Sequence, residues 1–183
     1  MIINLEGKTA AVTGSGRGLG KAMALELAKA GADVWVSCRT ESEAQQTVKE
    51  IQALGRKSGY TVADVAKMAD MQRMLDDAEK MGNGKLDILV NAAGVIDTDD
   101  LLDIGEEQIR RLIDINIMGT SNAIQAGLKK MIPHKAGKII TVSSIAGRQG
   151  MNMLEHYCMT KAAIINMTQS AALVAAPYHI NVN

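Results

Sequence analysis

The sequence predicts an α/β domain, doubly wound about a mostly parallel sheet, with helices on both faces in three layers. Three observations carry this prediction. Short apolar runs alternate with longer amphipathic ones along the 183 residues. Runs such as Ile88-Leu89-Val90 and Ile139-Ile140 are continuously apolar, as strands covered on both faces must be. Only two prolines, Pro133 and Pro177, interrupt the pattern, and both suit helix ends. Residues 1–183 fit one domain, since domains commonly run to roughly 100–200 residues.

The elements follow in order. Thr9–Thr13 reads as the first strand. A helix runs from Gly18 to Ala30 and stops at Gly31, whose freedom at positive φ suits a helix end. Asp33–Cys38 reads as the second strand. Thr40 and Glu43 match a capping box, so a helix should run from just after Arg39 to about Leu54. Ser58–Ala63 is the third strand, Lys67–Met81 a helix closed by Gly82-Asn83-Gly84, and Leu86–Val90 the fourth strand. Glu106–Met131 reads as one long helix and Lys138–Ser143 as the fifth strand. Asn152, with Glu155 three residues on, can cap a helix reaching Ala176. His179–Asn183 opens a sixth strand.

Composition excludes several functions. Hydrophobic residues make up 47% and charged residues 22%, which argues against disorder. Twenty basic residues balance twenty acidic ones, so the charge excess that phosphate-backbone binding needs is missing and no nucleic-acid partner is expected. With aromatics at 2% and no Phe, single-strand stacking platforms are excluded and the core must be aliphatic, with the 12 Met as filler. No stretch approaches the roughly 18 apolar residues needed to span a membrane. The start carries no secretory pattern, so a reducing, cytoplasmic setting is expected. Cys38, Cys158 and the three histidines share no ligand spacing, so no metal is expected.

In a doubly wound sheet, ligands bind beyond the carboxyl ends of the strands. The chemistry-bearing residues cluster there. Gly14-Ser15-Gly16-Arg17-Gly18-Leu19-Gly20 follows the first strand and opens a helix. Glycines let backbone N–H groups approach a pyrophosphate, and the helix N-terminus adds positive potential. No Gly-Lys-Ser/Thr follows, so this is not a Walker loop. The end of the second strand selects between cofactors, because an acid there accepts from a ribose 2′-OH and an arginine pairs with a 2′-phosphate. Asp33 lies at the wrong end of that strand. Arg39 stands at the right end, and Arg17 is a second nearby cation, so NADP is expected over NAD. Two solvated surface arginines would be the plainer account.

Ile109, Leu112, Ile113 and Asn116 fall on one helix face, which puts an amide among aliphatics. Alone, Asn116 reads as a structural hydrogen bond between helices. Tyr157 and Lys161 are four apart on the last helix. A lysine cation one turn away should lower the tyrosine pKa from its ordinary ~10 and fit it for acid–base work. Alone, the two read as an exposed helix pair. Ser144, after the fifth strand, could hold a substrate oxygen or be an ordinary turn serine.

Taken together, these residues resemble the short-chain dehydrogenase/reductase family. Thr13-Gly14-x-x-x-Gly18-x-Gly20 resembles its cofactor loop. Asn91-Ala92-Ala93-Gly94 resembles its Asn-Asn-Ala-Gly motif, with Ala in second place. Asp64, followed by Val65, matches the acid that bonds the adenine amino group. Asn116, Ser144, Tyr157 and Lys161 match the catalytic tetrad, and Ser143 is the adjacent candidate that spacing disfavours. The resemblance implies a Rossmann fold. It implies Tyr157 as general acid/base, with Lys161 lowering its pKa and binding the nicotinamide ribose. Ser144 would orient the substrate oxygen, and Asn116 would support a water linking Lys161 to solvent. It further implies a small-molecule secondary alcohol or ketone of polyol or 3-oxoacyl type, and a homodimer or homotetramer. Family members continue past the Ile180-Asn181-Val182-Asn183 pattern into a substrate-lid helix and a last strand. The fold is therefore expected to lack both, and the alternative expectation is a truncated nucleotide-binding fragment without turnover.

Overall fold

The computed structural model describes residues 3–98 and 100–183; Met1, Ile2 and Asp99 lie outside that description. Six parallel strands form one sheet in the order β3-β2-β1-β4-β5-β6. The strands are β1 (Thr9–Thr13), β2 (Asp33–Cys38), β3 (Ser58–Val62), β4 (Ile88–Asn91), β5 (Gly137–Thr141) and β6 (Ile180–Val182). The helices are α1 (Gly18–Lys29), α2 (Glu41–Ala53), α3 (Met68–Met81), α4 (Glu106–Leu112), α5 (Gly119–Met131) and α6 (Glu155–Ala175).

The two-residue period of the strands divides the core between the two faces. Ala10 and Val12 of β1 and Ile88 and Val90 of β4 pack with Ala24 and Ala28 of α1 and Val48 and Ile51 of α2. Ala11 and Leu89, one residue out of phase, pack on the other face with Met71, Met74 and Leu75 of α3 and with Met131. Continuous apolar strands are thus explained: each side chain, up or down, meets a helix. Met71, Met74 and Met131 are fully buried, as the filler reading expects, whereas Met118, Met151, Met153 and Met159 are exposed.

Strand order reverses between β1 and β4, and the last paired residues there are Thr13 and Asn91, in register at the carboxyl ends. At the opposite edge, Asp33 pairs with Arg56 at 3.0 Å and accepts from the Lys57 amide at 2.9 Å. Asp33 is therefore a structural residue, far along the strand from the ligand edge.

Several observed elements differ from the sequence reading. The long helix 106–131 is interrupted: Ile113–Met118 winds as a π-helical segment between α4 and α5. Periodicity alone does not reveal such a turn, because it inserts one residue without breaking the helix. Thr40 occupies the N-cap of α2, but its side chain makes no capping bond. Asn152 does not cap α6, which begins after Leu154; Glu155 instead reaches back to accept from the Met153 amide at 3.1 Å. The fifth strand ends at Thr141, leaving Ser143 and Ser144 in the turn beyond it. Both prolines sit in single 3₁₀ turns directly after α5 and α6. No helix among the described residues is long and apolar enough to cross a membrane.

Candidate active site

A cleft of about 430 Å³ opens at the carboxyl ends of β1, β2, β3 and β4. Gly14, Gly16, Arg17, Gly18, Leu19 and Gly20 form one wall, Cys38 and Arg39 another, and Asp64, Val65, Ala92, Ala93 and Gly94 the floor. Gly14 is required twice over. Its φ is +66°, and a Cβ there would come within 2.7 Å of the Ala93 Cα. At Gly20 a Cβ would lie inside van der Waals contact of the Gly14 carbonyl. Two loops and a helix start therefore meet backbone to backbone, and side-chain volume is withheld where a bulky anion would need N–H groups. α1 begins without a side-chain cap and without an acid in its first turn, so its leading amides and positive dipole end face the cleft.

Ser15 and Asn91 lie beneath the cleft. The Ser15 hydroxyl donates to the Val12 carbonyl at 2.7 Å and accepts from the Ser37 amide at 2.9 Å, tying β1 to β2. Asn91 Oδ1 accepts from the Thr13 hydroxyl at 2.9 Å. That same Thr13 oxygen accepts from the Ala92 and Ala93 amides at 3.2 and 3.1 Å. Thr13, which the sequence reading placed only as the first residue of the cofactor-loop motif, is the buried pin holding the loop after β4 against the glycine loop. Its signal was present: a polar side chain ending an apolar strand must find partners.

At the end of β2, Arg17 and Arg39 are exposed, and neither makes an ion pair with a described residue. Glu43 also lines this corner. Cys38 donates to the Thr40 carbonyl at 3.1 Å; burial pushes its thiol pKa up, and the Glu43 carboxylate adds to that rise. Asp64 closes a small turn by accepting from the Ala66 amide at 3.1 Å. The loop that carries Asp64 and Val65 is clamped by Asn122, whose amide donates to the Val65 and Ala66 carbonyls at 3.0 and 3.1 Å.

Of the four residues expected to be catalytic, Asn116 and Lys161 meet beyond Gly94, and Tyr157 lies beside Lys161. A Cβ at Gly94 would stand 3.3 Å from Asn116 Oδ1 and 3.6 Å from Lys161 Nζ, so both polar groups face the same small space at the cleft's end. Asn116, in the π-helical segment, is fully buried. It accepts from the Val95 amide at 2.8 Å and donates to the Val95 carbonyl at 2.9 Å. Lys161 is buried to 5% exposure, and Nζ donates to the Val142 carbonyl at 2.9 Å. Burial holds its pKa below the usual lysine value of 10.5. Its ammonium lies 5.6 Å from the centroid of the half-buried Tyr157 ring. The Tyr157 hydroxyl makes no hydrogen bond to a described residue. The two serines separate cleanly. Ser143 spends its proton on the Lys161 carbonyl at 2.8 Å, whereas Ser144 Oγ only accepts, from the Ala146 amide at 3.2 Å, and keeps its proton to donate. No group of three or more His, Cys, Asp or Glu gathers among the described residues to hold a metal.

Strand order, a cleft at the switch point and a glycine cradle at a helix start define a class: an α/β dinucleotide-binding domain. Comparison with known proteins narrows it. A family model described as short chain dehydrogenase matches residues 8–183. A sorbitol dehydrogenase of Cereibacter sphaeroides is 39% identical over 183 residues, covering 99% of this chain and 70% of that protein. A 3-oxoacyl-acyl-carrier-protein reductase of Staphylococcus aureus is 36% identical over 177 residues, 96% of this chain and 72% of that protein. The crystal structure of an NAD+-bound xylitol dehydrogenase superposes with a TM-score of 0.94 at 30% identity, over 98% of this chain and 69% of that one. The chain belongs to the short-chain dehydrogenase family, and its class of reaction is NAD(P)-dependent oxidoreduction of alcohols and ketones.

Proposed function

We propose that the chain interconverts a secondary alcohol and its ketone using NADP(H), with Tyr157 moving the proton. One observation supports this above the others: the buried Lys161 ammonium borders Gly94, a residue of the glycine-lined cleft, and lies 5.6 Å from the ring of Tyr157, whose hydroxyl bonds to no described residue. A bound nicotinamide supplies or accepts the hydride. Tyr157 gives its proton to the carbonyl oxygen in reduction and takes one from the alcohol in oxidation. The positive Lys161 head stabilises the charge that then develops on the phenol oxygen. Ser144 donates its spare proton to the substrate oxygen and fixes its direction. Asn116 locks the loop after β4 and leaves an Oδ1 lone pair toward the space it shares with Lys161 Nζ; a water there would pass protons onward.

For the cofactor, the amides of Gly14 through Gly20 suit the pyrophosphate, and Asp64 suits the adenine amino group. The main chain of Val65 and of Ala92–Gly94 would line the rest of the cleft, and Lys161 would reach the nicotinamide ribose. Two guanidiniums without an ion pair among the described residues, Arg17 and Arg39, favour a 2′-phosphate. Glu43 in the same corner favours the competing reading, NAD, because a carboxylate repels that phosphate. The substrate is of polyol or 3-oxoacyl type, as the names of the relatives suggest, and the active form is a homodimer or homotetramer.

The test follows absorbance of the reduced nicotinamide against panels of polyols and 3-oxo esters. Turnover with at least one panel, lost in Tyr157→Phe, is the expected result. A Tyr157→Phe chain as active as the parent overturns the assignment. Arg39→Asp should shift relative affinity from NADP toward NAD; no shift refutes the cofactor preference.

A further inference from the structure

We infer that Thr160 is a positioning residue for the reaction, locking Asn116 to the helical turn that carries Tyr157. The inference rests on the oxidoreductase reading above. Thr160 is fully buried in α6, between Tyr157 and Lys161 in sequence. Its hydroxyl donates to the Tyr157 carbonyl at 2.8 Å, the back-bond typical of a helical threonine. That bond fixes the hydroxyl rotor and turns an oxygen lone pair away from α6. Asn116 Nδ2 donates to that oxygen at 3.0 Å.

The consequence lies in the inventory of one carboxamide. Nδ2 carries two protons. One goes to the Val95 carbonyl and the other to Thr160. Oδ1 accepts from the Val95 amide with one lone pair and keeps the second on the side facing Gly94 and Lys161 Nζ. Without the Thr160 oxygen, one Nδ2 proton is buried with no acceptor. The carboxamide then gains by rotating, and rotation takes Oδ1 out of the space it shares with the lysine. The π-helical segment supports the same reading: it places Asn116 where a regular helix would not, and the Thr160 bond is its side-chain tie to α6.

Thr160→Val keeps shape and loses the hydroxyl, while Thr160→Ser keeps the hydroxyl. The expected result is a kcat at least tenfold lower in Thr160→Val, with KM for the cofactor within twofold of the parent and near-parental kcat in Thr160→Ser. The kcat–pH profile of alcohol oxidation should move with Thr160→Val alone. In an Asn116→Ala background, Thr160→Val should cost nothing further, because its partner is gone. Full, additive loss in that background overturns the inference, as does a Thr160→Val chain with parental kcat. A parental chain silent on every substrate instead overturns the oxidoreductase reading. The Asn116 side-chain amide resonances then decide: hydrogen exchange accelerated in Thr160→Val and slow in Thr160→Ser supports the lock, and equal exchange refutes it.

Discussion

Lys161 shows how one side chain is held for use at a cost to the fold. Burial lowers its pKa, so the folded chain holds that proton less tightly than the unfolded chain does. Between the lowered folded value and the unfolded value near 10.5, unfolding takes up a proton, and stability rises as pH climbs through that window. Lys161→Met removes the titration. The melting temperature of the parent, taken relative to Lys161→Met, should therefore rise with pH across the range just below 10.5; a constant difference would contradict the burial. Tyr157→Phe should lower kcat by about 10²–10⁴, the usual range for a lost proton donor, with cofactor affinity unchanged by titration. Asp87 carries the opposite sign. Burial pushes its carboxyl up, but the Thr9 amide and the Lys85 and Lys8 ammoniums outweigh that and hold it below 3.8. Its contribution is present above pH 3.8 and is lost as pH falls through the lowered value. Asp87→Asn should cost about 1.5 kcal/mol at neutral pH, in the range of hydrogen bonds to charged groups. Denaturant titrations should show that difference shrinking in acid.

The sequence predicts the elements well wherever local chemistry decides them. Six strands and the helices fall within a residue or two of expectation, because apolar runs and glycine stops report burial and chain reversal directly. It predicts poorly where a partner distant in sequence decides. Within the π-helical segment at Ile113–Met118, Asn116 bonds to Val95 and Thr160, and neither neighbour is visible from the local pattern. The Thr40 and Asn152 caps failed for a related reason: capping patterns name candidates, and the surrounding chain decides whether they are used. Ser143 and Ser144 look alike in the local pattern; that Ser143 bonds to the Lys161 carbonyl while Ser144 accepts from Ala146 is again decided by a partner distant in sequence. Gly119 makes a sharp test at this scale. A Cβ there would meet Val65 Cγ2 at 2.6 Å, on the loop that also carries Asp64. Gly119→Ala should push that loop and weaken cofactor binding severalfold by equilibrium titration, with kcat at saturating cofactor near the parent's.

At the scale of the whole molecule, apolar surface remains on the helices flanking the site. Leu173 is 78% and Val174 60% exposed on α6, and Met118 is 47% exposed between α4 and α5. Such surface fits the symmetric interface that the proposed homo-oligomer would need. Replacing Leu173 and Val174 with glutamate should shift the sedimenting species toward monomer at micromolar concentration. A parent already monomeric there would refute the oligomer proposal.

The polar lattice around the reacting groups is anchored largely in peptide atoms. Lys161 bonds to the carbonyl of Val142, Asn116 to both main-chain groups of Val95, and Thr160 to the carbonyl of Tyr157. Side-chain identity at 95 and 142 is thus decoupled from the chemistry. These two positions form a margin where sequence can drift while the hydrogen-bonded geometry of Lys161 and Asn116 stays fixed.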